Sequence, residues 1–139
     1  MQGPQLEFVA HVSAEIAAPI ASGRSPSGRR QMIPITGGTV KGPRLSGRVL
    51  AGGADFQIIR DDGVCELEAR YFVETDAGAR VYVCNQGIAH AAGGSGLYFR
   101  TIPRFETSDE SLRWLMRSLF VATAAPRDGK VELDFFRVL

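Results

Sequence analysis

Apolar and polar residues alternate with a period of two over long stretches of this chain. The clearest runs are residues 65–75 (CELEARYFVET) and 79–86 (ARVYVCNQ). Such alternation sends successive side chains to opposite faces of a β-strand. With Asp76-Ala77-Gly78 between them, the two runs predict a hairpin. Further strands are predicted over residues 7–16, 54–60 (ADFQIIR), 97–105 (LYFRTIPRF), 119–124 and 130–138. Pro103 marks a bend or an edge in its strand. Shorter apolar stretches at 31–36 and 45–50 are separated by Gly37-Gly38, Gly42-Pro43 and Gly52-Gly53. Residues 17–28, overlapping the cluster SGRSPSGRR, read as a surface loop, 87–96 as a flexible loop and 125–129 as a turn. One short helix is predicted up to about residue 117. Ser108 or Asp109 caps it, Glu110 sits in its first turn, and Leu112, Leu115 and Met116 face inward beside Trp114.

Eight or nine strands at short spacing with Gly- or Pro-containing turns predict an all-β, mostly antiparallel sheet. No internal repeat points to a propeller or solenoid. The glycine pairs suit corners and close backbone approaches, which favours a closed barrel over a sandwich. At 139 residues the chain fits one domain, residues 1–139, with enough length for a sizeable core.

Composition narrows the functional classes. With 16 basic and 15 acidic residues the net charge is +1, so there is no basic stripe for nucleic acid and no general attraction to anionic membranes. No apolar run approaches the roughly 20 residues of a spanning helix. The start, Met1-Gln2-Gly3-Pro4-Gln5, shows no secretory signal, so a cytoplasmic location is expected. If Thr75 pairs with Gly78, Cys84 faces Ala69 and Cys65 lies more than ~10 Å away, too far for a disulfide. Both cysteines are therefore expected as reduced thiols. His11 and His90 have no second His or Cys at ligand spacing, so no metal is expected. Dinucleotide and phosphate-loop signatures are absent, and so are acyl-transfer patterns; no cofactor is expected.

Candidate chemistry lies in polar residues on strands. Glu66, Glu68 and Arg70 share one face of their strand, and Leu67, Ala69, Tyr71 and Val73 share the other. The polar face either meets solvent or lines a barrel cavity. Asp55 and Gln57 share a face with Ile59; Asp55 either orients a substrate or caps the turn after Gly52-Gly53. Asn85 ends a strand, as a turn residue or a ligand contact. Arg100, between Phe99 and Thr101, needs a partner, for which Glu106 and Asp55 are candidates.

Four stretches together carry a resemblance: GGTVKGPRLSGRVLAGGADFQ (37–57), the DG…ELEARY run (62–71), VYVCNQG (81–87) and YFRTIPRFETSDESLRWL (98–115). The chain resembles the uncharacterised family known as domain of unknown function 3237, small bacterial and fungal proteins. The resemblance covers nearly the whole chain. It implies a β-barrel akin to the allene oxide cyclase barrels and supplies no reaction. The family-like polar positions are Asp55, Gln57, Arg70, Asn85, Arg100 and Glu106. Between the NxG and YFR motifs this chain has only GIAHAAGGSGL, shorter than expected of relatives, which would leave a cavity mouth more open.

The resulting expectation is a cofactor-independent enzyme of cyclase, isomerase or lyase type acting on a small organic molecule. Asp55, Glu106, Arg70 and Arg100 are the candidate catalytic residues. Gln57, Glu68, Tyr82, Asn85 and Phe99 are the candidate substrate contacts. The alternatives are a non-catalytic small-molecule-binding module and an assembly protein. Phe135, Phe136, Val138 and Leu139 supply either a core strand or a subunit interface, so a homo-oligomer stays open.

Overall fold

The alternating runs become strands of a single sheet that curls until its ends meet. The computed structural model describes residues 1–94 and 96–139. The strands are β1 (Leu6–Ile16), β2 (Ile20–Ser25), β3 (Gly28–Lys41), β4 (Gly47–Val49), β5 (Gly53–Ile59), β6 (Cys65–Thr75), β7 (Arg80–Ala91), β8 (Leu97–Glu106), β9 (Leu119–Arg127) and β10 (Lys130–Val138). Antiparallel pairing runs from β1 through β10, β9, β8 and β7 to β6. From β6 it passes through β5 and β4 to β3. The circuit closes where β3 pairs with β1. The result is a closed eight-stranded antiparallel barrel with two extra strands. Among the described residues, no helix is long and apolar enough to cross a membrane.

Closure depends on β3 changing neighbours along its length. Its first half, Arg29 to Ile35, pairs with β5, and its second half pairs with β1. The strand turns this corner at Gly37-Gly38 without breaking. Gly38 has φ +143°, and a Cβ there would lie 2.0 Å from the Ser13 carbonyl oxygen. Only glycine lets the two backbones approach this closely.

Several boundaries differ from the sequence pattern. Residues 20–25, expected in a loop, form β2, which hydrogen-bonds to β3 yet is exposed along its whole length. Its side chains bury nothing, so no alternation marks it. Strand β7 continues through Gly87 to Ala91, and β9 continues to Arg127, leaving the turn to Asp128-Gly129. The β6–β7 hairpin is shifted by one residue from the expected register: Cys84 faces Arg70, and Cys65 faces Ala89. Both thiols are free. The helix is a single 3-10 segment, Glu110–Met116, whose cap Asp109 accepts the Ser111 N–H at 2.9 Å. Leu115 is buried, but Met116 turns outward.

One half of the interior is solid. Phe105 packs edge-on to Phe120 at 4.9 Å and meets Phe135 at 5.9 Å. Leu115 and Trp114 of the helix cover that end, and Arg44 stacks on Trp114 at 4.2 Å. The outer seam of β1 and β10 carries His11, which bonds Asp134 through Nδ1 and Glu132 through Nε2, each at 2.7 Å. Both ring nitrogens are thereby committed to carboxylates. Among the described residues no cluster of three or more His, Cys, Asp and Glu is arranged to hold a metal ion.

If the β1–β3 seam holds the barrel shut, Gly38→Ala lowers the unfolding free energy by about 2 kcal/mol or more, from backbone strain and overlap with Ser13. Urea denaturation measures it. A loss under about 0.5 kcal/mol would show that the seam tolerates a side chain.

Candidate functional site

Strand β5 reverses the usual polarity of a barrel strand. Asp55, Gln57 and Ile59 turn inward, while Phe56 and Ile58 turn outward. The register extends this inversion across the sheet. Asp55 pairs with Ala69, and Ala69 with Asn85, so the carboxyl and the amide lie in one row, two strands apart. Strand spacing puts their backbones within roughly 10 Å of each other. One row nearer the open end, Gln57 pairs with Leu67, Leu67 with Gly87, and Gly87 with Thr101.

These residues wall a cavity of about 320 Å³ in the half of the barrel that the helix does not fill. Its other walls are mostly apolar, with Ile33, Ile35, Leu67, Tyr71, Phe99 and Leu133 prominent. Small residues make the room: Ala69 and Ala89 face inward in the cavity wall. This volume lies at the lower end of the range for small-molecule sites.

A chain of amides holds Asp55. Gln31 Nε2 donates to Gln57 Oε1 at 2.7 Å, and Gln57 Nε2 donates to Asp55 Oδ2 at 2.8 Å. One carboxyl oxygen is thereby fixed. The other, Oδ1, is buried without a partner, as are Asn85 Oδ1 and Thr101 Oγ1. Each such atom costs about 1–3 kcal/mol of unreturned desolvation. Burial raises the Asp55 pKa above the ordinary aspartate value, against the opposing effects of the Gln57 side chain and the Glu68 backbone. Cys65 also lines the cavity, and burial pushes its thiol up to about 11. It is therefore a protonated, weakly nucleophilic thiol at neutral pH. Tyr71 is buried in the same wall, which holds its phenol protonated.

Of the residues expected from sequence, the fold brings Asp55, Gln57, Asn85 and Phe99 to this cavity. The other five, Glu68, Arg70, Tyr82, Arg100 and Glu106, lie on the outer surface rather than in the cavity, and of the two alternatives for the polar face of β6 the fold takes the one that meets solvent. Its apolar set, Leu67, Ala69, Tyr71 and Val73, turns inward, and the period of two sends Glu66, Glu68 and Arg70 out. Glu68 pairs there with Arg70 and accepts from Gln86 at 2.6 Å. Tyr82 packs edge-on to Phe72 at 5.6 Å. Arg100 lies over Tyr98 at 5.1 Å and donates to its neighbour's carbonyl, Phe99 O, at 2.9 Å. It pairs with neither Glu106 nor Asp55; Glu106 is exposed, opposite Tyr82. Asn85 is not a strand-end turn residue but sits in the middle of β7. Gln31, Cys65, Tyr71 and Thr101 were not singled out as site residues. Thr101 had a readable signal: it shares the inward parity of Phe99, Pro103 and Phe105.

Comparison with known proteins agrees with this architecture. The family model described as "Protein of unknown function (DUF3237)" matches residues 4–138. A "UPF0311 protein" of Rhodopseudomonas palustris (strain TIE-1) is 43% identical over 151 residues, covering 98% of this chain and 99% of that protein. The crystal structure of a "beta-barrel like protein" from Acinetobacter baumannii AYE superposes with a TM-score of 0.95 at 32% identity, covering 100% of this chain and 98% of the other. A more distant structure, of an "enzyme from Penicillium herquei", has a TM-score of 0.82 at 23% identity, covering 100% and 97%; it shows the shared fold.

A carboxyl whose pKa is higher in the folded than in the unfolded chain makes folding proton-linked. The folded state then holds more protons between the two values. Stability is greatest below the unfolded value and falls as pH rises through the folded one. Asp55→Asn keeps an acceptor for Gln57 and removes the ionisation. Urea melts from pH 3 to 8 are expected to lose this component of the decline in the variant and to show it more stable than the parent at neutral pH. Equal pH profiles would place Asp55 in contact with bulk water.

Proposed function

The chain belongs to the DUF3237 family, a family of β-barrel proteins, and we propose that its barrel interior binds a small, largely apolar organic molecule on which Asp55 acts as general acid–base. The observation that carries this reading is the carboxyl itself. It is the lone acidic group of the cavity wall among the described residues, is desolvated by aliphatic neighbours, and is held at one oxygen so that the other remains unengaged. A structure that shielded Asp55 only for stability would satisfy both oxygens.

The chemistry follows from that environment. A carboxyl with a raised pKa spends more of its time protonated and donates a proton readily; once ionised in an apolar wall, it is a stronger base than in water. It can therefore pass a proton between two atoms of a bound molecule with no other titrating group. Isomerisation, cyclisation and elimination need that and little else. The apolar wall excludes water and holds the substrate in one pose, which lowers the barrier by restricting its freedom. Gln57 is the positioning residue: its amide fixes the carboxyl plane, and Gln31 fixes the amide. The same barrel in the Penicillium herquei protein described as an enzyme is in keeping with catalysis on this scaffold.

A second reading, a binding module without turnover, uses the same cavity. Its apolar walls favour capture of a hydrophobic molecule as such. Asp55 distinguishes the two. Compounds that raise the melting temperature are incubated with the parent and with Asp55→Asn, and conversion is followed by NMR. The enzyme reading predicts turnover by the parent, with rates at least about 100-fold lower in the variant, the usual share of a general acid–base. Binding by both proteins with no conversion by either would establish the binding module.

A further inference from the structure

The wall of the cavity restricts the charge of what it holds. Among the described residues it contains no Lys, Arg or His, and one acid. An anionic ligand would enter without a counter-charge and face the Asp55 carboxyl. A desolvated carboxylate or phosphate without a partner costs several kcal/mol, far more than apolar contacts return. The guanidinium groups that could pair an anion, Arg70 and Arg100, lie on the outside of the sheet. An ammonium group fares little better. It would need Asp55 ionised, and both ions would then lose water against Ile33, Ile35 and Leu67.

The orphaned oxygens restrict it further. Asp55 Oδ1, Asn85 Oδ1 and Thr101 Oγ1 belong to three different side-chain types: a carboxyl, an amide and a hydroxyl. A hydroxyl is the most compact organic group that serves all three, since a single neutral oxygen both donates and accepts. It pairs with Asp55 in either protonation state and with Asn85 in either amide orientation. The oxygens are spread over two adjacent rows and three strands, a layout that suits two hydroxyls better than one.

Taking the cavity as the ligand site, as proposed above, we infer that its ligand is an uncharged molecule with an apolar skeleton bearing at least two hydroxyl groups. Asp55 engages one hydroxyl, and Asn85 and Thr101 engage the other. Ala69, between Asp55 and Asn85 in their row, leaves the space for the skeleton that joins them.

Matched probes test this. Dimethanol, bis(aminomethyl) and dicarboxylate derivatives of cyclohexane, decalin and adamantane present one skeleton with neutral, cationic or anionic ends. Binding is read by saturation-transfer NMR and by thermal shift. The expected result is at least a tenfold preference for a diol over both charged forms of its skeleton. Ala69→Leu should abolish diol binding. Thr101→Val, a shape-conserving change that removes an unsatisfied hydroxyl, should weaken diol binding several-fold while leaving the ligand-free melting temperature unchanged or higher. A diamine or dicarboxylate that binds as well as its diol, and is displaced by Ala69→Leu, would overturn the inferred ligand class and leave the cavity as the site. Absence of binding by every probe, with the parent protein folded, would overturn both the class and the site.

Discussion

Enclosure of the Asp55 carboxyl is the constraint on which the functional account depends. An aspartate on an open sheet would be hydrated and chemically ordinary. Here the β1–β3 seam closes the sheet around it, and apolar side chains from strands across the barrel take the place of water. The altered acidity is therefore a property of the whole circuit of strands rather than of β5. Gly38, at a corner of the seam, contributes to it without touching the carboxyl, because a Cβ there would overlap the Ser13 carbonyl.

The barrel divides its interior between two tasks. At one end, Phe105, Phe120 and Phe135 interlock beneath Trp114 and Leu115. That half resembles any well-packed core and supplies hydrophobic stabilisation. At the other end, alanines replace bulk, and polar groups with incomplete hydrogen bonding line the space. Such groups lower stability, and a protein keeps them where they are used.

Much of the fold was legible from alternation alone, because most strands bury one face and expose the other. The exceptions have a common cause. Strand β2 buries neither face, so its pairing with β3 leaves no trace in the side-chain pattern. The ends of β7 and β9 lie in Gly-, Ala- and Pro-containing sequence whose backbone still pairs. The site was half legible. Asp55 and Gln57 are visible because ADFQIIR has polar and apolar residues on opposite faces, yet nothing local says which face is inside. For β6 and β8, charge drew attention to Glu68, Arg70, Arg100 and Glu106, whereas the apolar residues alternating with them, and Thr101 among those, are what point inward. Charged groups on β6 and β8 mark the outer surface here; the polar residues of the cavity wall are fewer, and among the described residues all but Asp55 are uncharged.

The most direct measurement is the titration of the Asp55 side-chain carboxyl carbon by NMR, with and without a molecule seated in the cavity. The account predicts a midpoint clearly above the ordinary value of 3.8 and a further displacement when the cavity is filled. A midpoint at or below 3.8, unchanged by any cavity ligand, would contradict it.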